Sequence, residues 1–425
     1  MRDILITLLI FGLLPFSFKR PVIGALVFTW ISLMNPHRMT YGFAYSFPFA
    51  AIVAGVTVLS LFTNKQPKRL PVTPVTVTMI VFAAWMTFTS FFALEPNLVW
   101  LEWNRVIKTF FMVIVTTMVI SNVRDLKIFV WIVALSLGYF GLKGGLFTLA
   151  SGGHFRVYGP ENSYIAENNG MALALVTTLP LIWYLRTQVK NKWIVLGLTA
   201  MTAMTAVSAV GSYSRGALVG GAAMLFFLWC HSQKKVQTGV VLLAVVALIA
   251  VVMPEAWFER MNTINDYHED GSAQGRINAW MFAVNIAATF PLGGGYNVFT
   301  PRMFMMYAPN PLDYHVAHSI WFQVLGDHGF LGLAMFMMLI VFAWRTGTRV
   351  RKHCATQPEL KWAENLARMC QVCIIGYAVS GSFLSLAYFD LYYDIIIILV
   401  CLEKILLPSK RTMPFRSPAQ TQAAQ

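Results

Sequence analysis

Long apolar runs separated by short polar segments recur along the chain. They lie at 4–18, 21–34, 47–63, 75–94, 105–120, 128–150, 170–185, 193–211, 216–230, 236–253, 318–344, 366–386 and 391–407. Most reach or approach the roughly 18–20 residues that a helix needs to cross a bilayer. The pattern predicts an all-α, polytopic integral membrane protein with about 12–13 transmembrane helices. The two short N-terminal runs form either spans or one irregular piece.

One polar interruption, 254–317, differs from the others. It holds Glu255, Glu259, Arg260, Asp266, Glu269, Asp270, Arg276, Arg302 and Asp313, with His268 and His315. It is too long for a simple connector. Trp257, Trp280, Phe282, Phe299, Phe304 and Tyr307 give it apolar material to pack, unlike a disordered segment. We expect an ordered cap over a membrane-embedded site. Inside it, Ile277, Trp280, Met281, Val284, Ala287 and Ala288 recur at helical spacing, which predicts a helix over 276–289. The other face of this helix is also fairly apolar, so it lies on the membrane surface or inside the cap. Pro291-Leu-Gly-Gly-Gly-Tyr-Asn297 then makes a tight turn. The chain, 1–425, is read as a single membrane domain with 254–317 as its one large loop. The tail at 408–425 is polar and basic and reads as a disordered end.

Lys and Arg orient the spans. Clusters at Lys65/Lys68/Arg69, Arg124/Lys127, Arg186/Lys190/Lys192, Lys234/Lys235, Arg345/Arg349/Arg351/Lys352 and Lys410/Arg411/Arg416 fall on every second loop. The positive-inside rule makes that side cytoplasmic. Segments 35–46, 95–104, 151–169, 212–215, 254–317 and 387–390 then face outward. The net charge of +14 is explained by these loops and does not call for nucleic acid. Only 12% of residues are charged, against about 25% in soluble proteins. The first run has no small-residue cleavage site before Lys19 and Arg20, so it is expected to stay.

None of the cysteines (Cys230, Cys354, Cys370, Cys373 and Cys401) lies in the large loop, and no disulfide framework is expected. Cys370-x-x-Cys373 lacks a second pair and reads as packing rather than a metal or redox site. His315-x-x-His318 with Asp313 lacks a firm third ligand, so no metal is expected there.

The outward side carries the candidate chemistry. In Ser212-Tyr-Ser-Arg-Gly216, Arg215 stands where a helix begins. Free N–H groups, the positive dipole end and a guanidinium together suit a phosphate. An arginine snorkelling to lipid headgroups is the alternative. Gly275-Arg276 comes one turn before Trp280, and His318 stands where the loop re-enters the membrane. In Gly326-Asp-His-Gly329, Asp327 would lie about 13 Å below His318 on a continuous helix. Such depth suggests function, although the flanking glycines also allow a broken helix with a structural polar contact. Lys143 near the outer end of its span reaches toward the interface. Tyr158-Gly-Pro160 and Glu167-Asn-Asn169 add polar groups, so the 151–169 loop is a candidate cavity wall.

With these motifs the chain resembles the O-antigen ligase and polymerase superfamily of bacterial membrane glycosyltransferases. Ser214-Arg215-Gly216 matches that family's Ser-Arg-Gly turn. Gly275-Arg276 with Trp280, then Pro291-Leu-Gly-Gly-Gly295, matches its loop. The stretch from His318 to Gly332 matches its His-Asn-x-x-Leu-x-x-Leu-x-Glu-x-Gly-x-x-Gly pattern, with Ser319 in place of Asn and Asp327 in place of Glu. Met34-Asn-Pro-His-Arg38 and the following Tyr41-Gly-Phe-Ala-Tyr-Ser-Phe-Pro-Phe49 resemble the O-glycosylation ligase subgroup associated with the exosortase A system.

The resemblance implies transfer of a glycan from undecaprenyl diphosphate to an acceptor hydroxyl, with inversion, on the periplasmic side of the inner membrane. The acceptor is a lipid, a protein or another glycan. The resemblance implies His318 as base and Arg215 and Arg276 as catalytic charges on the diphosphate, without metal or cofactor. Arg215, Arg276, His315, Tyr296 and Asn169 are expected to contact substrate. A polymerase of the same superfamily, or a flippase of polyprenyl-linked glycan, remains the alternative.

Overall fold

Local sequence marks where the helices begin. Pro21, Pro74, Pro96 and Pro301 occupy first turns, where a missing N–H costs no hydrogen bond. Thr73 and Thr76 form a reciprocal capping box, and Asn122, Asn191, Ser214 and Thr300 cap with their side chains. The computed structural model describes residues 1–64, 70–231, 234–237, 239, 240, 243, 253–262 and 271–407.

Among the described residues the protein is built from α-helices and short 3-10 turns, with no strand. The helices are α1 (Arg2–Lys19), α2 (Pro21–Met34), α3 (Phe49–Thr63), α4 (Pro74–Ser90) and α5 (Pro96–Val119). There follow α6 (Val123–Ala150), α7 (Asn168–Gln188), α8 (Lys192–Val210), α9 (Arg215–Cys230) and α10 (Glu255–Asn262). The last five are α11 (Gly271–Thr289), α12 (Pro301–Tyr307), α13 (Ile320–Cys354), α14 (Lys361–Gly381) and α15 (Asp390–Leu406). Four of them, α6, α7, α8 and α13, are long and apolar enough to cross a membrane, and α2, α3, α4 and α9 are shorter apolar helices. The chain is an all-α, polytopic membrane protein.

Burial follows the apolar pattern. Every residue of α15 from Asp390 to Leu402 is buried, so this helix is central rather than peripheral. It packs against α13, α14 and α5. Helices α6 and α8 approach closely through small residues: a methyl on Gly145 would lie 2.2 Å from the Met204 carbonyl oxygen. Such small-residue seams let membrane helices pack backbone to backbone.

Several boundaries differ from the sequence reading; α13, for example, runs to Cys354, so the Arg345–Lys352 basic cluster lies on the helix rather than in a loop. Two of the differences bear on the site. The 105–120 run is only the second part of α5, which starts at Pro96, so most of 95–104 is helix rather than loop. Pro96 at the first turn sets that start. The loop helix begins at Gly271 and ends at Thr289. One face of this helix is buried against its neighbours. It packs on α13, and Ala279, Phe282, Ala283 and Ile286 form a small core with Val298, Phe299 and Phe304. The basic cluster at 65–69, most of 236–253, the segment 263–270 with Asp266, His268, Glu269 and Asp270, and the tail 408–425 lie outside the described residues.

Candidate active site

The site is organised by a break in α13. Gly329 has φ 68° and ψ −173°, which no helix contains. One turn earlier, the carbonyls of Gly326 and Asp327 take new donors. Gly294 N–H donates to Gly326 and Gly295 N–H to Asp327, each at 2.8 Å. Trp85 Nε1 donates to the His328 carbonyl at 3.0 Å. The Pro291–Asn297 turn therefore plugs the break with its own backbone. Only glycine fits there: a Cβ on Gly293, whose φ is +78°, would lie 2.5 Å from the Gly329 nitrogen. The helix is broken at Gly326-Asp-His-Gly329, as the flanking glycines allow, while Asp327 also lines the adjoining cavity.

Polar side chains close this junction. Tyr388 donates its hydroxyl to the buried Asp327 carboxylate at 2.9 Å. His328 Nδ1 and Thr89 Oγ1 lie 2.8 Å apart. Tyr296 is turned inward, 1% exposed, edge-on to the rings of His328 and Tyr388 at 4.6 and 5.1 Å. Its neighbour Asn297 lines the adjoining cavity instead.

That cavity has a volume of about 450 Å³. Its lining includes His318, Asn297, Gln323 and Asp327 from the C-terminal half and Arg105, Tyr164 and Glu167 from the N-terminal half. His318 immediately precedes Ser319, the N-cap of α13. Its φ of 42° lies in the left-handed region, a conformation that non-glycine residues adopt at a cost. Burial, followed by the Arg276 guanidinium and His315, lowers its pKa to about 4. The imidazole is neutral near pH 7 and able to accept a proton.

Arg276 is held by the surroundings of α11. The Asn278 side chain donates to the carbonyls of Asn310 and Asp313, both at 2.8 Å, and accepts from Asn310 N–H at 2.9 Å. Trp280 donates to the Ala317 carbonyl at 2.9 Å and stacks on Phe322 at 5.0 Å. A Cβ on Gly275 would lie 2.2 Å from the His315 ring, so only glycine permits this approach. These contacts fasten α11 to the strand of loop that carries His318.

Arg215 opens α9. The turn before it contains Tyr213 with φ 60°, and Ser214 caps the helix by accepting from Ala217 N–H at 3.3 Å. Asn168 at the start of α7 donates to the Ser212 carbonyl at 2.7 Å. Gly216 packs on Phe383, and Leu384, Ser385 and Leu386 line the cavity next to it. Arg215 is half-buried and is not itself part of the lining.

Of the residues singled out from sequence, His318 lines the cavity and Arg276 acts electrostatically on it. His315 pairs with Asp313 at 2.9 Å, and Asn169 is half-buried in the first turn of α7, next to lining residue Gly170. Lys143 is exposed on α6. Cys370 and Cys373 are buried free thiols. Among the described residues no group of three His, Cys, Asp or Glu is placed to hold a metal.

Sequence reasoning missed Arg105. Its guanidinium carbon sits 3.4 Å from the centroid of the Tyr164 ring, and Tyr164 donates its hydroxyl to Glu102 at 2.9 Å. Glu102 and Arg105, spaced i,i+3 at the end of an apolar run, were the available signal.

Comparison with known families gives two matches. Residues 200–337 match the model described as O-antigen ligase. Residues 1–190 match one described as a family of unknown function. No curated protein matches the chain.

Proposed function

We propose, starting from the match of residues 200–337 to the O-antigen ligase model, that the chain transfers a glycan from undecaprenyl diphosphate to an acceptor hydroxyl at the periplasmic face of a bacterial inner membrane. The observation that carries this reading is a neutral His318 in a polar cavity, next to the Arg276 charge. The acceptor hydroxyl gives its proton to His318 while its oxygen bonds to the anomeric carbon. The bond from that carbon to the diphosphate oxygen breaks, and undecaprenyl diphosphate leaves with the electron pair. Attack from the face opposite the leaving group inverts the anomeric centre. Arg276 and Arg215, the latter aided by the N-terminus of α9, meet the charge that develops on the diphosphate. We read the chain as a ligase of the O-glycosylation type. The resemblance of Met34-Asn-Pro-His-Arg38 to that subgroup supports this, and the segment that follows it touches the 151–169 loop. Arg38 stacks 4.8 Å from Tyr45, and Asn162 donates to the Tyr45 hydroxyl at 2.6 Å. Deleting the gene should remove one glycoconjugate and leave its lipid-linked precursor to accumulate. Loss of the precursor itself would place the protein earlier in the sequence.

Three expectations arise here. The base works as neutral imidazole, so activity is lost as pH falls through the His318 pKa. The kcat/KM profile, which reports the free enzyme, should stay flat from about pH 7 to about pH 5 and drop with a midpoint near about 4. A midpoint near 6.5 would separate His318 from the titrating group. Two arginines can neutralise a diphosphate, so EDTA-treated enzyme should keep its rate; loss restored by Mg²⁺ would move charge neutralisation to a metal. On a cysteine-free background, Leu312→Cys should react with a membrane-impermeant maleimide from outside intact spheroplasts, and His353→Cys should not. The reverse labelling would invert the topology.

A further inference from the structure

The cavity has a second wall, contributed by the segment 1–190 that lies outside the O-antigen ligase match. Its cation is Arg105 on α5. The guanidinium of this exposed residue sits over the Tyr164 ring, whose hydroxyl bonds in turn to Glu102. Stacking occupies one face of the guanidinium and leaves its in-plane N–H donors available. Among the described residues, no side chain or carbonyl accepts a hydrogen bond from the Arg105 guanidinium, and no carboxylate forms an ion pair with it. Arg105 lines the same cavity as His318. A planar donor fork held in place, without a protein acceptor, suits a carboxylate or phosphate.

Charge on this wall separates the two substrates. Glu167 shares the lining, and Glu102 stands behind Tyr164. Asp327 also lines the cavity, and the buried Asp390 interacts electrostatically with Arg105. Repulsion by these carboxylates grows with ligand charge, so it penalises a diphosphate more than the single charge of a sugar carboxylate, which the Arg105 fork can offset. The diphosphate already has Arg215 and Arg276 in the reading above, on which this inference rests. We propose that Arg105, held on Tyr164, anchors an acceptor subsite for a sugar that carries a carboxylate.

The test is a transfer assay on the full-length protein in detergent, with its native lipid-linked donor and native acceptor. Methyl β-D-glucuronide, methyl β-D-glucoside and glucose 6-phosphate serve as competitors. The glucuronide should compete with the acceptor and not the donor, at a concentration about tenfold below that of the glucoside. In Arg105→Gln the preference should vanish and acceptor KM should rise about tenfold or more, with donor KM changed by less than about twofold. Arg105→Lys keeps the charge without the fork and should lose most of the preference, which guards against a folding defect in the glutamine variant. A rise in donor KM instead would put Arg105 in the donor site. Unchanged KM values for both substrates would make it a membrane-surface charge, and stronger competition by glucose 6-phosphate would replace the carboxylate with a phosphate. Each of these results overturns the subsite while wild-type transfer stands; absence of wild-type transfer rejects the transferase reading and the subsite together.

Discussion

Arg215→Lys and Arg276→Lys are each expected to lower kcat/KM for the lipid-linked donor by about 10²–10³. Lysine keeps the positive charge but loses the planar fork that meets two phosphate oxygens at once. The surroundings make both positions exacting. Arg276 follows Gly275, which presses against the His315 ring, and its helix is tied down by Asn278 and Trp280. Arg215 follows a left-handed Tyr213 and the Ser214 cap. A lysine ammonium on a flexible stem would not inherit that placement. The measurement is steady-state transfer with donor varied at saturating acceptor, on protein checked by size-exclusion profile. Near-normal kcat/KM in both variants would show that charge alone suffices, or that these arginines serve the fold.

His318→Ala is expected to lower the single-turnover transfer rate by about 10²–10⁴, the usual contribution of a general base. Donor affinity should stay nearly the same, because the imidazole acts in the chemical step. His315→Ala should be milder, within about tenfold, since His315 pairs with Asp313 and reaches His318 only through its effect on the imidazole. Donor binding and single-turnover transfer must be measured separately on both variants. If His318→Ala transfers glycan at close to the wild-type rate, His318 is an interfacial packing residue. Its left-handed backbone would then serve only the turn into α13.

Much of the helical framework is legible in the apolar runs, because a bilayer-length helix needs only composition and length to declare itself. The same is true of the helix inside the large loop, where spacing alone exposes it. Local signals also place His318 before a helix and allow a break at Gly326-Asp-His-Gly329. What fills the break is not local. The Gly293–Gly295 turn lies within the large loop, well before α13 begins at Ile320, and no periodicity reports that its N–H groups meet the Gly326 and Asp327 carbonyls. Tyr296, a candidate ligand contact by its place in a polar loop, is drawn into the core by the rings of His328 and Tyr388. Arg105 reads as an ordinary charge at the end of a span, because its partner Tyr164 comes from the loop beyond the next helix. Contacts between distant segments decide which polar residues face the cavity, and such contacts leave no trace in spacing.

The most direct test of the central claim is release of undecaprenyl diphosphate by the purified full-length protein in detergent. Donor and acceptor are supplied separately and then together, and the lipid product is quantified by mass spectrometry. A glycosyl transfer that depends on His318, Arg215 and Arg276 predicts release only with both substrates present, one lipid product for each glycosylated acceptor. Intact donor under all conditions, with the same protein moving labelled donor across proteoliposomes, would contradict it and make the chain a transporter.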